Sequence, residues 1–136
     1  MLHIAKLCVG VTDIGHLRDL QADRKENIHR TRSFPRRASE VIDGGSLYWV
    51  IAGAMVVRQR ITDIVEDTLQ DGTSCAALHL HRTLVPVAGR PTKPFQGWRY
   101  LDADAAPADL TRAMRARGEE ELPQTLKKEL RALGLL

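Results

Sequence analysis

Apolar residues run almost unbroken from position 2 to 9 and stop at Gly10, the pattern of a short buried strand. Thr12 or Asp13 then offers a helix cap, and Ile14, Leu17, Leu20 and Gln21 fall on one side of a helix reaching about Glu26. Residues 28–34 read as extended, because Phe34 precedes Pro35 and is biased away from the helical region. Pro35 suits the first position of a short helix to Ile42, which would bury Ala38, Val41 and Ile42 and expose Arg36 and Arg37 at its start.

The clearest unit comes next. Asp43-Gly44-Gly45 is a turn signal, and residues 46–52 are rich in aromatic and β-branched side chains. A reversal at Ala52-Gly53 predicts a hairpin whose second strand covers about 54–65. Alternation places Met55, Val57, Gln59 and Ile61 on one face and Val56, Arg58, Arg60 and Thr62 on the other. After a turn at Asp71-Gly72, residues 74–87 read as one more strand, with Ala76, Leu78 and Leu80 inward and Ala77, His79 and His81 outward. Residues 86–98 carry three prolines and two glycines and read as a long loop, followed by a short strand over 98–101. A helix starting at Asp104 or Ala106 and ending at Gly118, then a final helix striped by Leu122, Leu126, Leu130 and Leu133, completes the chain. The fold class is therefore α+β: a small mixed β-barrel or strongly curved sheet over 1–103 with flanking helices. Residues 104–136 form a C-terminal helical extension packed on it.

The 136 residues suffice for one domain, and 43% hydrophobic with 27% charged residues excludes a disordered chain. The two cysteines, Cys8 and Cys75, are too few for a disulfide scaffold and read as buried thiols. No apolar run reaches the length of a membrane span, and the start of the chain lacks the features of a signal peptide, so a cytoplasmic protein is expected. The net charge of +3 is modest, but two stretches, 29–37 and 72–101, each hold four basic residues and no acid. Such clustering favours an anionic partner; a solvated face with a few ion pairs is the alternative.

All six aromatic residues fall in two windows that adjoin arginines: Phe34, Tyr48 and Trp49, then Phe95, Trp98 and Tyr100. Arginine beside exposed rings suits phosphate pairing and base stacking. Trp49 shares a face with Leu47 and Ile51 and belongs to the core. Arg36, Arg37, Arg58 and Arg60 would meet phosphates, Trp98 and Tyr100 would stack, and Lys93 and Arg99 would flank them. His79 and His81 share a strand face, but no third or fourth ligand stands out, so neither a metal nor another cofactor is assigned. No nucleophile motif and no glycine-rich phosphate loop is present, and no catalytic residue is assigned.

The segments Lys6-Leu7-Cys8-Val9-Gly10, Pro35-Arg36-Arg37, 43–51, Arg58-Gln59 and 94–101 resemble an uncharacterised bacterial protein family, over about residues 2–110. That resemblance implies no activity. More loosely, a short helix, a Gly-Gly turn and the strands over 35–64 are similar to the PUA-like barrels, including the ASCH group, which often bind RNA or modified nucleotides. The expectation is an RNA- or nucleotide-binding domain without catalysis. The alternatives are a small hydrolase or nucleotide-modifying enzyme using the same cleft, or a protein-interaction module that uses the final helix, through which the chain could also oligomerise.

Overall fold

The computed structural model describes residues 1–110. Strand β1 is Leu2–Leu7. Helix α1, Ile14–Ala22, is capped by Asp13, whose carboxylate accepts the His16 backbone N–H at 2.8 Å. Strand β2 is Asn27–Thr31 and helix α2 is Ala38–Ile42. The hairpin follows as β3, Ser46–Ile51, and β4, Ala54–Thr68, with Ala52 and Gly53 both at positive φ, as a two-residue primed turn requires. Strands β5, Ser74–Leu80, β6, Val85–Pro91, and β7, Trp98–Asp102, complete the sheet, and a short 3-10 turn, Ala103–Ala105, comes after it.

The seven strands form one mixed sheet in the order β2-β5-β4-β3-β1-β7, with β6 also on β4. Only the β1–β3 pair is parallel. The fifteen residues of β4 organise it. Their first half lies between β3 and β6, and their second half continues on to β5. Bulges near Met55/Val57 and Ile61/Asp63 bend β4 and curl the sheet. The curl is visible in side chains: the rings of His29 on β2 and Trp49 on β3 meet edge to face at 5.1 Å, although two strands separate them in sheet order.

Both faces of the sheet are covered. One cluster joins Ile4, Leu47, Trp49, Ile51, Val57, Ile61 and Leu78 to Ile14 and Leu17 of α1 and Val41 of α2. The other holds Ala5, Tyr48, Val50, Met55, Val87 and Leu101. Strand β3 is therefore buried along its whole length. Gly45 is required between α2 and β3, since a Cβ there would sit 2.1 Å from the Leu2 carbonyl oxygen.

Several expectations need correction. The sheet does not close into a barrel: its edge strands β2 and β7 do not pair. β2 is only five residues long and ends in a bend, so the gap is bridged by a side chain, the Trp98 indole N–H donating to the Ser33 carbonyl at 3.0 Å. α1 stops at Ala22, four residues early, and Leu20 is 47% exposed. Pro35 precedes α2 rather than opening it. The bulge breaks the expected alternation on β4, sending Met55 and Val57 to different clusters. The strand expected over 74–87 is two strands, interrupted at 81–84, where the Arg82 guanidinium is held by the Arg24 and Lys25 carbonyls. The first half of the expected loop is β6, which contains Pro86 and Pro91 and pairs with β4. No helix starts at Asp104 or Ala106: residues 106–110 run beside β6, with Ala88 and Leu110 backbone bonds and a Val87–Asp109 bridge. The helix ending at Gly118 and the leucine-striped final helix lie outside the described residues. Among the described residues no helix is long and apolar enough to cross a membrane.

Candidate functional site

The seam between the sheet's two edges is where polar side chains gather without being used up. On β2 the inward positions are Asn27, His29 and Thr31, and Asn27 is only 5% exposed. On β1, Lys6 is in register with Trp49 on one side and Trp98 on the other, so the three side chains leave the sheet on the same face. Alternation explains both placements: Lys6 shares a face with the core residue Ile4, and Asn27, His29 and Thr31 share one face of β2.

A cavity of about 220 Å³ opens here between α1, the end of β1 and β2. Leu17, Leu20, Trp49 and Leu80 form apolar walls, while Asn27 and His29 supply polar groups. Lys6 and Arg24 add positive charge. The Asn27 Oδ1 and His29 Nε2 atoms are buried and have no hydrogen-bond partner among the described residues. A buried polar atom left unpaired costs about 1–3 kcal/mol, so such atoms in a cavity call for a reason. Burial, with Lys6 and Arg24 adding to it, lowers the His29 pKa to about 4, and the ring is neutral at pH 7. Burial likewise pushes the Cys8 thiol up to about 11, so it is a thiol rather than a nucleophilic thiolate.

Lys6 also lines a second, wider cleft of about 490 Å³ formed with Arg30, Arg32, Ser33, Gln96 and Trp98. Cavity and cleft thus meet along one seam, and neither is lined by a carboxylate among the described residues. Arg30 is bonded to Asp67 at 2.8 Å, whereas Lys6 and Arg32 make no ion pair among the described residues.

The eight residues expected to bind do not form one surface. Trp98 lies in the seam, half-buried, edge-on to Tyr100. Lys93, Arg99 and Tyr100 line a separate cleft of about 460 Å³, where the Arg99 guanidinium sits 4.4 Å from the centre of the Phe95 ring. Arg37 forms a two-bonded pair with Glu40, and its backbone N–H donates to the Tyr100 hydroxyl. Arg36 is exposed beside it. Arg58 makes a two-bonded pair with Asp109 at 2.7 Å and a third bond to Ser46. Arg60 donates to the carbonyls of Gly45, Ile61 and Ile42 and clamps the turn between α2 and β3. His81 leaves the strand, so it does not share a β5 face with His79.

Sequence reading missed Lys6, Asn27 and His29. Their signal was available: a single lysine within an apolar strand, and polar residues two apart on a strand that must face inward somewhere. Arg30 and Arg32 were visible as members of the acid-free stretch over 29–37.

A curved mixed sheet with a polar, partly basic seam defines the class of domain. A family model described as "Protein of unknown function (DUF1489)" matches residues 4–136, and the chain belongs to that family. The match takes in the C-terminal residues that the expected resemblance over 2–110 left out. No curated protein matches the chain, and no solved structure does.

Proposed function

We propose that this protein is an RNA- or nucleotide-binding domain that works without catalysis and holds the phosphate-bearing part of its ligand in the cleft beside Trp98. One observation carries the reading: Lys6, Arg32 and Trp98 line one opening whose lining has no carboxylate among the described residues, with Arg30 at its edge held by Asp67. Convergent cations beside a ring are what a phosphate followed by a base requires. Arg36, Lys93 and Arg99 are outlying cations that can attract a longer strand; Arg58 and Arg60 hold the fold that shapes the cleft. The bent sheet is compatible with a PUA-like relationship, although fold likeness alone does not decide function.

The test is fluorescence anisotropy of a short labelled single-stranded RNA at several salt concentrations. Binding should weaken with salt, and Lys6→Ala and Arg32→Ala should each shallow the log–log slope by about 0.7 for every phosphate that the variant no longer neutralises. Trp98→Ala should weaken binding by about 1–3 kcal/mol through the missing stacking surface. A salt-independent signal, or unchanged slopes in both cation variants, would contradict the proposal.

A further inference from the structure

The cavity beside the cleft has chemistry of its own. Its volume of about 220 Å³ lies below the roughly 300–1,000 Å³ usual for drug-sized ligands, so it fits a single small ring system. Asn27 is more than nine-tenths buried, and its Oδ1 can only accept, so an occupant must bring an N–H or O–H. Lys6 and Arg24 at the same cavity disfavour a cationic donor. The Asn27 acceptor and the apolar walls disfavour an anion deep inside. His29 Nε2 adds a second hydrogen-bonding point; a neutral imidazole donates or accepts there according to its tautomer. A neutral, flat heterocycle with a ring N–H or an amino group meets every one of these conditions.

We infer that this cavity receives one unstacked nucleobase, which donates to Asn27 Oδ1 and pairs with His29 Nε2 while its phosphate lies in the adjoining cleft at Lys6. This rests on the nucleotide reading of the cleft and narrows it, because a pocket for one base favours a mononucleotide or a strand end over a continuous strand. Lys6 is the natural link, since it lines both spaces. Gln21 and Gln59 are not open to the ligand in the same way. Their amides pair with each other at 2.7 and 3.0 Å, and Gln59 also accepts from the Trp49 indole. The two unpartnered atoms on β2 are the ones left to read a base.

The test uses the full-length chain and isothermal titration with the four nucleoside 5′-monophosphates, ribose 5-phosphate and inorganic phosphate. At least one monophosphate should bind tenfold or more tightly than ribose 5-phosphate. His29→Phe and Asn27→Leu should each erase about tenfold of that preference while leaving ribose 5-phosphate affinity unchanged. In the unmodified protein, the His29 imidazole nitrogen resonances should move on adding the preferred monophosphate and stay still with ribose 5-phosphate; this readout survives if a variant fails to fold. Equal binding of all phosphates, with His29 silent, would overturn the base pocket and leave the phosphate cleft standing. No binding by any probe would overturn both.

Discussion

Strands β4 and β2 both carry polar side chains and treat them in opposite ways. On β4, the polar groups at Arg58, Gln59 and Arg60 are all answered. Gln59 is fully buried, yet its amide oxygen accepts from Trp49 and Gln21, and its nitrogen donates to Gln21 and the His81 carbonyl. Arg58 and Arg60 direct their donors to Asp109, Ser46 and three carbonyls. On β2, Asn27 Oδ1 and His29 Nε2 are buried and unanswered. Gln59 and Asn27 are both more than nine-tenths buried, so the contrast between them is not one of solvent. Satisfied polar groups rigidify a fold, whereas unsatisfied ones facing a cavity are a cost that a ligand can remove. On the proposed reading, β4 belongs to the architecture and β2 to recognition.

Gln59→Ala strikes hardest at that contrast. It would leave the Trp49 indole N–H, the Gln21 amide and the His81 carbonyl without their partner and open a cavity, for an expected loss of about 3–5 kcal/mol in urea unfolding. A loss below about 1 kcal/mol would show that the β4 network does not hold the fold together.

His29 should announce itself in the pH dependence of stability. Its folded-state pKa of about 4 lies below the ordinary 6.5, so the folded protein binds fewer protons than the unfolded chain between those values. The stability linked to this group is therefore complete above about pH 6.5 and drains away as pH falls toward 4, by on the order of 3 kcal/mol. His29→Phe should flatten this part of the acid limb and, at pH 7, raise stability by about 1 kcal/mol, because a buried unpaired nitrogen is removed. An acid limb identical to that of the unmodified protein would show that His29 is not buried in its neutral form.

The smallest effect belongs to the surface. Arg37 and Glu40 pair in the open, three residues apart, and exposed pairs contribute little. Arg37→Ala should leave the thermal midpoint unchanged, measured beside Gln59→Ala in the same buffer.

Much of this architecture could be read from the residues. The Ala52-Gly53 hairpin, the buried stripe Leu47, Trp49 and Ile51, and the inward set Ala76, Leu78 and Leu80 follow from alternation and turn chemistry, which are local. Sheet closure was not legible, because it depends on bulges in β4 and on how far β2 extends. The loop expected over 86–98 failed for a related reason: Pro86 and Pro91 look like breakers until β6 is seen to pair with β4. Of the candidate site, Trp98 was singled out from its neighbours, whereas the arginines were assigned by charge alone. Their commitments are long-range: Arg58 meets Asp109 fifty-one positions away, which no local pattern reveals. Asn27 and His29 stayed hidden because a polar residue on a strand is commonplace until its strand is seen to face a cavity.

The most direct measurement is amide and side-chain chemical-shift mapping of the full-length protein on titration with a short single-stranded RNA. If β2 and the seam recognise the ligand while β4 only supports them, the largest shifts fall at Lys6, Asn27, His29, Arg32 and Trp98, with Arg58 and Arg60 near their starting positions. Shifts centred on Arg36, Lys93 and Arg99 with the seam silent, or no shifts at all, would contradict that division.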